Sequence, residues 1–84
     1  MNDTPTQFEA AVAASKELTQ RPDNATLLKL YALYKQASEG DVASPKPGFS
    51  DLVGRAKWDA WAAPRGTSAE AARQRYIELV ESLE

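Results

Sequence analysis

The side chains with most chemistry to offer are tyrosines, tryptophans and cations in three stretches. Tyr31, Tyr34 and Lys35 form the first, Arg55, Lys57, Trp58 and Trp61 the second, and Tyr76 stands in the third. An aromatic face stacks on planar rings, and an ammonium or guanidinium group holds phosphate through charge-assisted hydrogen bonds. A rim where the two meet beside apolar surface suits a ring that bears a phosphate. Each residue also has a purely structural role open to it. Lys35 can snorkel over tyrosines of a core. Trp58 and Trp61, three apart, can share a helix face, and Trp61 is expected in the core. Tyr76 can be a core tyrosine or a ligand donor, because a buried phenol needs a hydrogen-bond partner. Spacing by itself does not show whether Lys57 faces Lys35.

Composition removes most alternatives. The 84 residues contain no cysteine and no histidine. That rules out a disulfide framework, a thiolate metal site, a thiol nucleophile and the usual proton shuttle near neutral pH. The carboxylates, among them Asp23, Glu39, Asp41, Asp51, Asp59, Glu70, Glu78 and Glu81, are scattered, and no pair is forced together for acid–base work. No phosphate loop, calcium loop or G-x-S-x-G elbow occurs. A net charge of -2 argues against general nucleic-acid binding. Yet residues 46–75 carry Lys46, Arg55, Lys57, Arg65, Arg73 and Arg75 against Asp51, Asp59 and Glu70, enough for a local anion site. Neither a secretory leader nor a membrane-spanning apolar run is present, so a cytoplasmic protein without transmembrane segment is expected.

Four helices must position these groups, in one domain over residues 1–84. The first is expected over about residues 5–19, opened by the capping box Thr4-Pro5-Thr6-Gln7 and closed by Arg21-Pro22. The second, about 24–39, starts from Asp23 or Asn24 and stops at Gly40. On it Tyr34, Leu30 and Ala37 fall within about 80° of Leu27 on one side, and Tyr31, Lys35 and Leu28 within about 100° on the other. Its apolar face is therefore too wide for simple core packing, and a lysine sits in the margin. The stretch 41–50, with Pro45 and Pro47, is long enough to run back along a helix, so the next helix need not be antiparallel. The third helix, about 51–63, starts from Ser50 or Asp51. It is closed by Pro64 and Gly66, with Ala63 pushed toward extended geometry. Thr67-Ser68-Ala69-Glu70 reads as a capping box for the fourth, about 68–83.

These residues carry a resemblance. Leu30-Tyr31-Ala32-Leu33-Tyr34-Lys35-Gln36-Ala37 with Gly40-Asp41, Lys46-Pro47-Gly48, Gly54 through Trp61, Gly66-Thr67-Ser68 and Tyr76 together resemble the acyl-CoA-binding protein family, over nearly the whole chain from Phe8 to about Leu83. The blocks Y-x-x-Y-K-Q-A and K-W-D-A-W at this separation are specific in combination. The resemblance implies an all-α four-helix bundle of up-down-down-up topology that binds long-chain fatty acyl-CoA. It implies adenine stacked on Tyr34, a 3′-phosphate held by Tyr31, Lys35 and Lys57, contacts from Tyr76 and Lys16, and an apolar groove for the acyl chain. No metal, no cofactor and no catalytic residue is implied, and the product is an intracellular carrier and buffer rather than an enzyme. The chain would act as a monomer, with room for transient contact with membranes or acyl-CoA-using enzymes. Arg55, Leu52 and Pro64 depart from the common family pattern. The alternative is a helical protein-interaction module without ligand binding.

Overall fold

The computed structural model describes residues 4–84, with side chains from Thr6 onward. It contains α1 (Thr4–Ser15), α2 (Asn24–Glu39), α3 (Leu52–Ala62) and α4 (Ala69–Leu83), with no strand among the described residues. Short polar side chains start three of them. Asp23 Oδ1 accepts from the Thr26 N–H at 2.8 Å, Asp51 Oδ1 from the Gly54 N–H at 2.9 Å, and Ser68 Oγ from the Ala71 N–H at 3.1 Å. Each satisfies a donor that the first helical turn leaves free. At Gly54 an added Cβ would crowd the Asp51 carboxylate, which would have to shift to keep its cap. Gly40 closes α2 with φ 81°, a conformation that side chains disfavour, and donates its N–H to Gln36 O at 3.1 Å.

Three boundaries differ from expectation. Helix α1 ends at Ser15 rather than near residue 19. The Ser15 hydroxyl donates to Val12 O, and the N–H groups of Lys16 and Glu17 bond three residues back, to Ala13 and Ala14. A serine competing for backbone carbonyls and a tightened last turn end the α-helix early. Helix α3 spans Leu52–Ala62 instead of 51–63, because Asp51 is its cap and not its first turn. Ala63 is not extended: it keeps φ −61° and ψ −44°, and its N–H bonds Asp59 O and Ala60 O. Proline only biases its predecessor, and bonds from Arg65 to Ala62 and from Thr67 to Pro64 carry the turn onward. Helix α4 starts at Ala69 with Ser68 as cap, so Thr67 is not the capping residue. The box at Thr4–Gln7 involves Thr4 and Pro5 side chains, outside the described residues.

Helix α4 packs on both α1 and α2, whereas α3 packs on α2 alone. Ala11, Leu30, Tyr76, Ile77 and Val80 form the core, flanked by Phe8, Val12, Leu33 and Leu79. Helix α3 buries no residue. Its position is set by the connection from Gly40 to Asp51, which runs back along it. The indole N–H of Trp61 donates to Gly40 O (2.8 Å), that of Trp58 to Ser44 O (2.7 Å), and the Arg55 guanidinium to Pro47 O (2.8 Å). Residue numbers rise on one side as they fall on the other. The chain thus returns before α3 begins, and α3 runs in the same direction as α2. Matching pairs agree: Lys57 meets Tyr31, and Trp61, one turn on, meets Lys35.

Gln36 locks the far end. It is 1% exposed, and its Nε2 donates to Asp41 Oδ1 and to Thr67 O, both at 2.8 Å. Asp41 Oδ1 also accepts from the Gly66 N–H at 2.8 Å. These bonds join α2, the connection and the turn before α4. The radius of gyration is 13.2 Å, against about 12 Å for a compact chain of this length. The excess reflects a flat, elongated shape, 44 × 29 × 15 Å along its principal axes.

Candidate functional site

Lys16, Tyr31, Tyr34 and Tyr76 line one cavity of ≈ 310 Å³, floored by Leu27 and Leu30. Helix α2 supplies both tyrosines because positions 31 and 34 lie on adjacent strips of its wide apolar face. Helix α1 brings Lys16 by ending just before it, and α4 brings Tyr76. Tyr34 is 42% exposed, and its ring lies 6.0 Å from that of Phe8 at an interplanar angle of 23°. Tyr76 is 4% exposed and meets Phe8 edge-on at 5.2 Å. Its hydroxyl donates to Ser15 Oγ at 3.1 Å, and Ser15 donates to Val12 O. Tyr76 is therefore a core tyrosine whose phenol is partnered within the fold and whose edge borders the cavity.

Tyr31 also lines a second trough of ≈ 400 Å³, with Leu27, Leu28, Val53, Ala56, Lys57 and Arg21. Lys57 Nζ stands 5.5 Å from the Tyr31 ring centroid, a cation–π distance. One tyrosine thus joins a cavity of phenols and a lysine to an apolar trough with Lys57 and Arg21 on its rim.

Lys35 lies one helical turn further along the same seam but does not line that cavity. Its ammonium pairs with the Glu39 carboxylate and lies 4.9 Å from the Trp61 ring centroid. The bond to Glu39 raises its pKa above the ordinary lysine value, so it stays cationic throughout the neutral range. A phosphate reaching Lys35 competes with Glu39. Lys57 has no ion-pair partner among the described residues.

Five of the six expected residues are therefore drawn into one continuous surface, with Lys35 at its margin. Trp61 is not the core residue expected, being half-buried and pinned to Gly40 by its N–H. Nor do Tyr31 and Tyr34 form a core for Lys35 to cover, since Lys35 covers Trp61. Arg21, Val53 and Ala56 were not anticipated as trough residues. The only signal for Arg21 was a positive charge beside a helix break, and exposed aliphatic residues on α3 gave none. Glu39 as the partner of Lys35 was available from their i, i+4 spacing.

Comparison with known proteins bears on the family and the fold. The family model described as acyl CoA binding protein matches residues 5–80. The acyl-CoA-binding protein homolog of Drosophila melanogaster is 54% identical over 77 residues, which cover 92% of this chain and 90% of that protein. A segment of human enoyl-CoA delta isomerase 2 is also 54% identical over 76 residues, 90% of this chain but 19% of that protein. Among solved structures, Oryza sativa acyl-CoA-binding protein 2 superposes with a TM-score of 0.92 at 41% identity, covering 96% of this chain and 90% of that one. With four helices, one phenol-and-lysine cavity and a matching family model over most of its length, the chain belongs to the acyl-CoA-binding protein family.

Proposed function

We propose that residues 1–84 act as one domain that binds long-chain fatty acyl-CoA thioesters tightly, and that the protein serves as a cytoplasmic, monomeric carrier and buffer of them. The observation that carries this reading is the double role of Tyr31, which borders both the phenol-lined cavity and the apolar trough. An acyl-CoA is a polyanionic nucleotide joined to a greasy tail, and such a surface suits both halves.

In this reading the adenine stacks on the exposed face of Tyr34, worth about 1–3 kcal/mol. Lys57 and Lys16 hold the nucleotide phosphates beside Tyr31, and each charge-assisted bond adds roughly 1.5–3 kcal/mol. Lys35 joins once Glu39 gives way. Tyr76 contributes its ring edge, its hydroxyl being already bonded to Ser15. The tail lies over Leu27, Leu28, Val53 and Ala56, gaining about 0.8 kcal/mol per methylene buried. No nucleophile or proton shuttle takes part, so the output is binding and not turnover. The clustering of Tyr31, Tyr34 and Lys57 favours this over a module that only contacts proteins.

Calorimetry with palmitoyl-CoA, CoA and palmitate tests the proposal. Tight binding of the thioester with much weaker binding of either half is expected. Equal affinity for free palmitate overturns the nucleotide assignment.

A further inference from the structure

Another groove, of ≈ 350 Å³, opens between α2, the end of α3 and α4. Leu28, Ala32 and Leu33 supply its α2 wall, and Ala60, Ala63 and Pro64 its α3 side. Leu28 also borders the acyl trough, but the other lining residues belong neither to that trough nor to the phenol cavity. Positions 28, 29, 32 and 33 share one strip of α2 by their helical spacing. Ala60 and Ala63 carry only a methyl group each, which keeps the groove open. Pro64 is one of the departures from the common family pattern, so this wall is a feature of this chain.

Two cations stand on the rim, Lys29 from α2 and Arg75 from α4, and no carboxylate lines the groove. The packing of α4 on α2 brings the two to the same opening. Both are exposed, and neither forms an ion pair among the described residues, in contrast to Lys35 with Glu39 and Lys46 with Asp59. Small-molecule sites take this form: mainly apolar walls with a few charged groups, and volumes of about 300–1,000 Å³. The volume here lies at the low end of that range. The complement of such a groove is a short alkyl chain with an anionic head.

From this juxtaposition we propose that the groove is a second ligand site, which takes the anion of a medium-chain fatty acid. The carboxylate sits between Arg75, whose planar fork matches it, and Lys29. The chain lies over Leu28, Leu33 and the Ala63–Pro64 wall, and each methylene buried gains about four-fold in affinity. No aromatic ring lines the groove, so a nucleotide finds no stacking platform there. The site is independent of the acyl-CoA reading, and it is weak beside a site that holds both a nucleotide and a long tail.

The test titrates the full chain, labelled with nitrogen-15, with decanoate below its micelle concentration and follows the amide signals. Shifts should centre on Ala32, Leu33, Ala63 and Arg75, saturate at one decanoate per chain, and persist when palmitoyl-CoA is bound. Decanol, which has the tail without the charge, should bind at least ten-fold more weakly. Two variants should each lose at least ten-fold in decanoate affinity: Lys29→Glu/Arg75→Glu, which reverses the rim, and Ala63→Trp, which fills the groove from an exposed position. Their melts and their affinity for palmitoyl-CoA should match wild type. Absence of decanoate binding overturns the proposal, as do equal affinities for decanol and decanoate, or unaltered binding by the variants. Shifts centred on Tyr31 and Val53 overturn it too, since decanoate then enters the acyl trough. Concentration-dependent shifts at the groove without any ligand, and no decanoate binding, assign it to a second copy instead. Failure of palmitoyl-CoA to bind strikes at the proposed function and leaves the decanoate map to be read separately.

Discussion

The seam between α1 and α4 and the seam between α2 and α3 are built from different materials. The first is filled by Ala11, Tyr76, Ile77 and Val80, all buried. The second contains half-buried or exposed groups joined by directional contacts: Lys57 over Tyr31, Lys35 over Trp61, and indole N–H bonds to backbone carbonyls. Hydrophobic burial holds α1 against α4. Cation–π pairs and hydrogen bonds position α3 while leaving cations and apolar surface accessible. Burial is thereby concentrated in the first seam and accessible cations in the second, with α2 serving both and Tyr76 joining the core to the cavity.

The sharpest way to break this comparison is to truncate one aliphatic side chain in each seam. Ile77→Ala should cost about 2–5 kcal/mol of stability. Val53→Ala should fall within about 0.5 kcal/mol of wild type in the same thermal or denaturant melts, because its side chain is exposed. Equal costs would show that the second seam is part of the core. Next in size, Lys57→Ala should weaken acyl-CoA binding roughly ten- to a hundred-fold by calorimetry, about 1.4–2.7 kcal/mol, with an unchanged melt. Lys35→Ala should lose less, because Glu39 already occupies its ammonium. An order reversed between the two lysines would move the phosphate toward Trp61.

Trp61→Ala should cost about 1–2 kcal/mol of stability, the sum of one hydrogen bond and partial burial, short of the 3–5 kcal/mol of a fully buried tryptophan. The smallest effect concerns pH. Bonds from the Gly66 N–H and from Gln36 hold the Asp41 carboxyl below its ordinary value. A lowered folded-state pKa contributes stability that is present above the unfolded value and lost as pH falls through the folded one. Acid titration should therefore show part of the stability loss below the normal aspartate range. Asp41→Asn, which keeps an acceptor oxygen but no charge, should flatten that part of the curve.

The helix caps were legible because capping is local chemistry: Asp23, Asp51 and Gly40 each act within one turn of themselves. Ser15 shows the limit of such reasoning. The apolar stripe continues to Leu18, and only the hydroxyl bond to Val12 and the tightened turn end α1 early. Trp61 failed as a core residue for a tertiary reason. Spacing places it on a helix face but does not reveal that α3 has a single helical neighbour. The meeting of Lys57 with Tyr31 was equally hidden from periodicity, since it depends on the returning connection that makes α2 and α3 run the same way. Family resemblance supplied that grouping where periodicity did not. Ala63 keeps helical dihedrals because the following proline only biases its conformation.

Because α3 leans on a single neighbour and buries no side chain, it is the segment with least to lose by letting go. A molecule spanning the trough would touch Leu27 and Leu28 on one side and Val53 and Ala56 on the other, acting as a removable brace. Any species that binds only the folded form shifts the equilibrium by mass action. Ligand supply would then set how long the outermost helix withstands proteolysis, so turnover of the protein would follow the abundance of its cargo.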